Sequence, residues 1–490
     1  MKKILLILGG ATILSSSMTF GQTPTIKRCG VEQMHEYMIS QDPSWAQRFA
    51  DQKASLQAQA DAYEAAKAMT GNEKTTTVSA IPVVFHIVLD SAQFLSMGGA
   101  TGIAKRCDSQ IAVLNRDFNK QNYDSTLIPT HWKSLYGNAG IHFGLALTSP
   151  TGVCTPGYEI KIITSSGFSN MNNAFPEAKT SATGLAAWDV TQYYNVWCIN
   201  FTGSASSLLG ITVPKSQTGL GGYPSNEEGV CILYSSLGCT GPNSGVAPGG
   251  SSIIYGTPAA GTGTYAGGGW FQPYNLGRTL THETGHFLEI WHTWGDDGGL
   301  CPWSSGGGDD GLTDTPPESD AVYGNPAYTV TGGTYTDACK LNGTTNTQPN
   351  GIACLSYMDY TDDDAMHLFT PNQASTMAAQ VLVSTGENYS LTQHPNLLTC
   401  PTAITTVMPT GSSLNIFPNP TSGMLNITVN SSVENVKSIS VLNIMGQQIM
   451  TITGEPVDNY TIDMTSLSKG IYFVKCEFEG GSVTRKVVLQ

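Results

Sequence analysis

Charge is scarce in this sequence. Only 12% of its residues are Asp, Glu, Lys or Arg, and 37 acidic side chains outnumber 23 basic ones. There is no basic stripe of the kind that neutralises phosphates, and the formal net charge is −14, so nucleic acid is excluded as a partner and cations are favoured. Beyond the first 22 residues no apolar run is long enough to span a membrane. The glycine-rich run at 261–269 lacks the spacing and the strand-to-helix context of a phosphate loop, and reads as a flexible loop.

What is present points to an exported, multidomain protein. A chain of 490 residues is too long for one ordinary core, and 40% hydrophobic content with 54 glycines suits a loop-rich, β-rich fold in two or three domains. The first residues, MKKILLILGGATILSSSMTFGQ, combine two lysines, an apolar run and small residues, which is a signal peptide at 1–21. Eleven cysteines in an exported chain are expected to form disulfides with one left over, and Cys29 is the candidate for the odd thiol. Residues 22–75 are expected to be a pro-segment, helical over 43–69. Its Cys29 either joins an ordinary disulfide or, as a thiolate, serves as a ligand to a metal held elsewhere in the chain.

A main domain is expected over 76–395, a linker over 396–412 and a smaller C-terminal domain over 413–490. The β-branched run IPVVFHIVL at 81–89 reads as a buried strand, as do stretches at 141–147, 193–201 and 229–237, with a helix over 109–118. Together they predict an α/β (α+β) domain with a mixed sheet and an active-site helix, followed by a small all-β sandwich. His86 and His142 lie within strands and read as structural; His35, His131, His367 and His394 have no partners at ligand spacing. Asp309, Asp310, Asp314, Thr315 and Glu318, with Asp296 and Asp297 just upstream, supply hard oxygens in a turn-rich loop. They are a candidate Ca2+ site, or simply a solvated acidic loop.

The stretch THETGHFLEIWHTWGDD at 281–297 carries the chemistry. On a helix spanning 275–288, His282 and His286 are four apart and face one ion, while Glu283 is placed to take a proton from a metal-bound water. A turn near Glu289 must bring back His292 as the third ligand. Three nitrogens leave a fourth position for water, as in a catalytic Zn2+ site; a structural site would want a fourth protein ligand, and none is apparent nearby in sequence.

HETGHFLEIWH followed by SYMDYTDDDAMHLFTPNQ resembles the pappalysin family of metzincin metalloproteases over about residues 80–373. The resemblance implies that Met358 lies beneath the zinc in a Met-turn and that Tyr360 stabilises the oxyanion of peptide hydrolysis. It implies that the RCG around Cys29 is a latency motif. It also implies an acidic pocket floor at Asp363, favouring Lys or Arg after the scissile bond. One departure is Glu289, which stands where the family has glycine at a turn of positive φ.

NIFPNPTSG at 415–423, GQQI and the ending GIYFVKCEFEGGSVTRKVVLQ resemble the type A sorting domain of type IX secretion, which implies the secretion machinery as a partner and a secreted or cell-surface location. The expected function is a secreted zinc endopeptidase acting on protein or peptide substrates. The competing expectation is a non-catalytic binding or adhesin protein with a structural zinc.

Overall fold

A computed structural model describes residues 26–69, 80–219, 222–239, 265–266, 270–271, 273–296, 310–324, 339, 354–400, 413–430, 436–443, 446–453, 459–478 and 481–490. The signal peptide, Asp297, Cys301, Asp309 and most of the expected linker lie outside them. The chain divides into two compact units, residues 1–399 and 400–490.

The first unit is built on one mixed sheet. Its strands are β1 (Lys27–Cys29), β2 (Ile81–Leu89), β3 (Phe143–Leu145), β4 (Tyr158–Ile162), β5 (Tyr194–Ile199), β6 (Leu208–Val213) and β7 (Gly229–Leu233). The order is β1-β6-β7-β5-β2, with β3 and β4 paired in succession to the other edge of β2. All nine residues of β2 are buried, as its continuous apolar pattern requires of a strand covered on both faces. Strand β6 runs antiparallel to β7, whereas β7, β5 and β2 are mutually parallel. The three-residue β1 extends the sheet by pairing parallel to β6.

Five helices matter here: α1 (Val31–Gln41), α2 (Ser44–Met69), α3 (Ser91–Ser96), α4 (Gly99–Asp117) and α5 (Arg278–Phe287). Residues 265–266 and 270–271 form a small hairpin, β8 (Tyr265–Ala266) and β9 (Trp270–Phe271). A sixth helix, α6 (Pro371–Leu382), starts with a capping box in which Thr370 and Gln373 satisfy each other's backbone N–H groups. Helix α2 packs along α6, so the expected pro-segment is docked on the unit. Helix α5 lies across β6 and β7, and this contact sets the position of the site.

The second unit holds β10 (Ser413–Phe417), β11 (Met424–Asn430), β12 (Val436–Leu442), β13 (Gln448–Thr453), β14 (Asn459–Asp463), β15 (Gly470–Phe478) and β16 (Gly481–Leu489). They form two antiparallel sheets, β10-β11-β14 and β13-β12-β15-β16, which share one apolar core around Leu425, Ile439, Val474 and Val487. This is the all-β sandwich that the alternating pattern predicts.

The cysteine arithmetic is corrected by the structure. Cys154, Cys339 and Cys400 are disulfide-bonded, but Cys29, Cys107, Cys198, Cys231, Cys354 and Cys476 are buried thiols. Cys198 and Cys231 sit on core strands β5 and β7, where a thiol packs as a small apolar side chain. Counting cysteines in an exported chain therefore overestimates its bridges.

Candidate active site and metal centre

Helix α5 begins after Gly277, whose φ of +82° turns the chain into the helix. The start lies three residues later than the sequence pattern predicts, because Asp363 holds the entry: its Oδ2 accepts hydrogen bonds from the backbone N–H groups of Leu276 and Arg278, at 2.9 and 3.2 Å. Arg278 is a cation at the positive end of a helix dipole, an unfavourable place. It is offset by ion pairs to Asp117 (3.1 Å) and Asp124 (3.0 Å), and its guanidinium also donates to the carbonyls of Asp363 and Met366. One buried arginine thus ties α4, α5 and the loop after Met358 together.

His282 and His286 project from α5 and His292 returns after the turn. Each uses Nδ1 toward an oxygen: His282 to Tyr357 O (2.7 Å), His286 to Ile290 O (2.9 Å) and His292 to Asp296 Oδ1 (2.5 Å). An imidazole that donates through Nδ1 presents a lone pair at Nε2. The Nε2 of His286 is 3.2 Å from that of His282 and 3.0 Å from that of His292. Three lone pairs so close repel unless a cation lies among them. The residues therefore fit a zinc ion. Burial, then the neighbouring imidazoles, holds His282 and His286 well below the ordinary histidine range, so the neutral, ligating form is favoured.

Cys29 completes the group. Its Sγ and the three histidine nitrogens all lie within 4.8 Å of one another, and all four residues are buried. Burial first, and Glu283 next, push the thiol well above its usual pKa, so a thiolate at this position needs a cation beside it. The expected latency ligand is thus brought 250 or so positions along the chain to the histidines, as a fourth donor that sequence proximity hid.

Glu283 is fixed by β6. Thr212 Oγ1 donates to its Oε2 at 2.6 Å, and a Cβ on Gly210 would come within 2.4 Å of Oε1, so only glycine fits beneath the carboxylate. Burial pushes the Glu283 carboxyl up to about 8 against the lowering effect of Thr212. Met358 lies under the turn of α5 that bears both histidines: a Cβ on Gly285 would meet its Sδ at 2.4 Å. Tyr360 is buried beside His292, ring centroids 5.0 Å apart, and its hydroxyl donates to Cys29 O at 3.2 Å.

Glu289 takes the conformation expected of the missing glycine, with φ of +72°. Its side chain accounts for the exception. The carboxylate accepts from Ser216 N (3.2 Å) and Ser216 Oγ (2.6 Å), just beyond β6, and from Gln52 of α2. These bonds offset a backbone cost of about 1–2 kcal/mol.

The acidic residues fall into separate groups. Asp296 belongs to His292. Asp310 accepts from Leu312 N (3.0 Å) and Gln373 Nε2 (3.1 Å), and Asp314 from Thr370 Oγ1 (2.9 Å) and Asn372 N (2.8 Å). Both therefore buttress the start of α6, near the buried Thr315 and Glu318. Among the described residues, the only cluster of three or more His, Cys, Asp or Glu with converging donors is that of Cys29 and the histidines. Asp363 is buried, and its Oδ1 accepts from Arg28 Nη2 at 2.7 Å. His86 is structural: its Nε2 donates to Asn195 Oδ1 (2.8 Å) and its Nδ1 meets Glu159 (2.7 Å).

Arg28, Thr212, Gly210, Asp296 and Arg278 escape sequence reasoning. Only Asp296 carried a signal, its spacing of four from His292.

The geometry agrees with comparisons to known proteins. Residues 257–382 match the family described as pregnancy-associated plasma protein-A, and residues 415–490 match the secretion system C-terminal sorting domain. An extracellular metalloprotease of Colletotrichum graminicola is 36% identical over 111 residues, 22% of this chain and 33% of that protein. One from Arthroderma benhamiae is 32% identical over 178 residues, 36% of this chain and 47% of that protein. The chain thus spans about a third to a half of the length of these curated relatives. A mutant of promirolysin from Tannerella forsythia superposes with a TM-score of 0.57 at 28% identity, covering 76% of this chain and 99% of that one. Mature mirolysin of the same organism, in complex with a cleaved peptide, gives 0.51 at 31% identity, covering 66% and 98%. The sorting-domain match makes this a secreted or cell-surface chain, and no helix among the described residues is long and apolar enough to cross a membrane. With its zinc-fitting histidines on α5, its methionine beneath them and near-complete coverage of mature mirolysin, the chain belongs to the pappalysin family of metzincin metalloproteases and carries a C-terminal secretion sorting domain.

Proposed function

We propose that the chain is a secreted zinc endopeptidase made in latent form, with a signal peptide at 1–21 and a pro-segment at 22–75. The observation that carries this is the convergence of three Nε2 lone pairs at 3.0–3.2 Å, each histidine committed through Nδ1. Zinc held by His282, His286 and His292 would supply Lewis acidity to a water and to the scissile carbonyl. Glu283 takes the proton of the attacking water and passes it to the leaving amine, its Oε2 held by Thr212 and its Oε1 left to act. Tyr360 donates to the carbonyl oxygen as charge develops there, as its hydroxyl now does to the carbonyl of Cys29.

In the latent chain Cys29 stands where the water belongs, and Arg28 pairs with Asp363. A buried carboxylate that already holds a guanidinium supports a preference for Lys or Arg after the cut. On that reading the pro-segment lies backwards: its basic residue precedes the residue at the metal, whereas in a substrate it follows the scissile carbonyl. The type IX machinery is the proposed partner of the sorting domain. Calcium is the proposed second ion, on Asp309, Asp310, Asp314 and Thr315; what supports it is the burial of Asp310, with Thr315 and Glu318 buried close by in sequence.

One observation favours a structural zinc instead: Cys29 makes the donor set four, a closed site. Glu283→Ala separates the two. Loss of peptide hydrolysis by about a thousandfold or more after activation, with one zinc retained, fits the endopeptidase. A chain that hydrolyses no peptide even after the segment bearing Cys29 is removed is a binding protein.

A further inference from the structure

The loop that returns His292 to the cluster is covered by the pro-segment in a particular way. Lys53 of α2 donates from Nζ to Gly295 O at 2.7 Å and stands over the Trp291 ring, 5.1 Å from its centroid. The same ring meets His35 at 4.8 Å and Phe49 at 5.8 Å. Trp291 is 6% exposed, and these ring and cation neighbours all come from α1 and α2, so departure of the pro-segment uncovers a tryptophan one residue from a metal ligand. A carbonyl oxygen beside the face of a tryptophan is a receptor for an ammonium or guanidinium group.

The path of the pro-segment gives this receptor its place. Arg28 lies on Asp363, Cys29 among the histidines, and His35 against Trp291. Along that path Asp363 is met before the metal centre and Trp291 after it. We propose that the Trp291 face and the Gly295 carbonyl form a second cation subsite, which takes a Lys or Arg side chain of the substrate on the amino-terminal side of the cut and which Lys53 fills in the latent chain. The side of the cut rests on the reading of Asp363 as the pocket for the residue after it. Substrates of this enzyme are then basic on both sides of the cleaved bond, which suits the chain's net charge of −14.

The test uses the full zinc-loaded chain activated by limited proteolysis and quenched peptides carrying arginine after the cut. Lysine is compared with norleucine, its uncharged isostere, at each of the preceding positions. Lysine at one of them is expected to raise kcat/KM about tenfold, mainly through KM. Trp291→Leu should remove that gain and Trp291→Phe should keep part of it, with zinc content measured in both. Equal cleavage of lysine and norleucine at every preceding position in the unaltered chain overturns the subsite, as does a gain that survives Trp291→Leu. A parallel series with norleucine in place of the arginine tests Asp363 separately, so either reading can fail while the other stands.

Discussion

Arg28 Nη2 donates to Asp363 Oδ1 at 2.7 Å across 335 positions of sequence, and both side chains are fully buried. The other oxygen of Asp363 is bonded to the start of the helix that carries the histidines. The pair therefore couples the pro-segment to the floor of the proposed specificity pocket. Removing one partner of such a pair leaves a buried charge and costs about 3–5 kcal/mol. Arg28→Met is expected to shorten the lag before the full chain becomes active, read as hydrolysis against time. Asp363→Asn should cut the preference for Lys or Arg over norleucine after the cut by about tenfold or more while zinc content stays at one. An unchanged preference in that variant excludes Asp363 as the determinant.

Asp296 orients the third histidine through a 2.5 Å contact, and the attraction of His292 keeps its carboxyl below the usual range although burial works to raise it. Partners of this kind fix the ring and raise ligand basicity, and their loss weakens metal binding about 10–100-fold. Asp296→Asn should show that loss in a chelator competition. If its zinc affinity equals that of the parent chain, the carboxylate serves packing only.

Glu289 opposes two effects. Glu289→Gly relieves a φ of +72°, worth about 1–2 kcal/mol, but deletes the bonds to Ser216 and to Gln52 of the pro-segment. Zinc binding is expected to persist and the pro-segment to be cut away faster, since one of its anchors is gone. Time-resolved gel analysis of activation checks this, and a variant as slow to activate as the parent chain would falsify the anchoring role.

Burial pushes the Asp310 carboxyl up to about 7. Its folded value is thus above its unfolded one of about 3.9, so the fold binds the proton more tightly and loses stability as pH rises from about 4 to 7. A calcium ion on this loop would stabilise the ionised form and cancel that loss. Calcium should therefore raise the thermal midpoint more at pH 8 than at pH 6, with Asp310→Asn removing the difference. Equal midpoints with calcium and with chelator at both values rule the ion out.

Much of the molecule is legible in the residues alone. Strand β2, helix α2, the histidine spacing on α5 and the sandwich follow from periodicity, because each is long enough for burial on one face or both to leave its mark. Strand β6 leaves only a short apolar signal, LLGITV. Strand β1 could not be seen, since three residues become a strand only by pairing with β6.

The sequence by itself determined the spacing of His282, His286 and His292, the carboxylate of Glu283 beside the first of them, and the presence of Glu289 where the family has a turn glycine, because those features are local to one short stretch. The tertiary structure decided which distant groups meet them. Cys29 became a fourth donor, Arg28 found Asp363, Thr212 and Gly210 set Glu283, and Asp296 turned from a loop carboxylate into the partner of His292. These contacts are made between buried polar groups from separate elements. Each is dictated by the need to satisfy charge and hydrogen bonding in a closed core, a need that has no period along the chain.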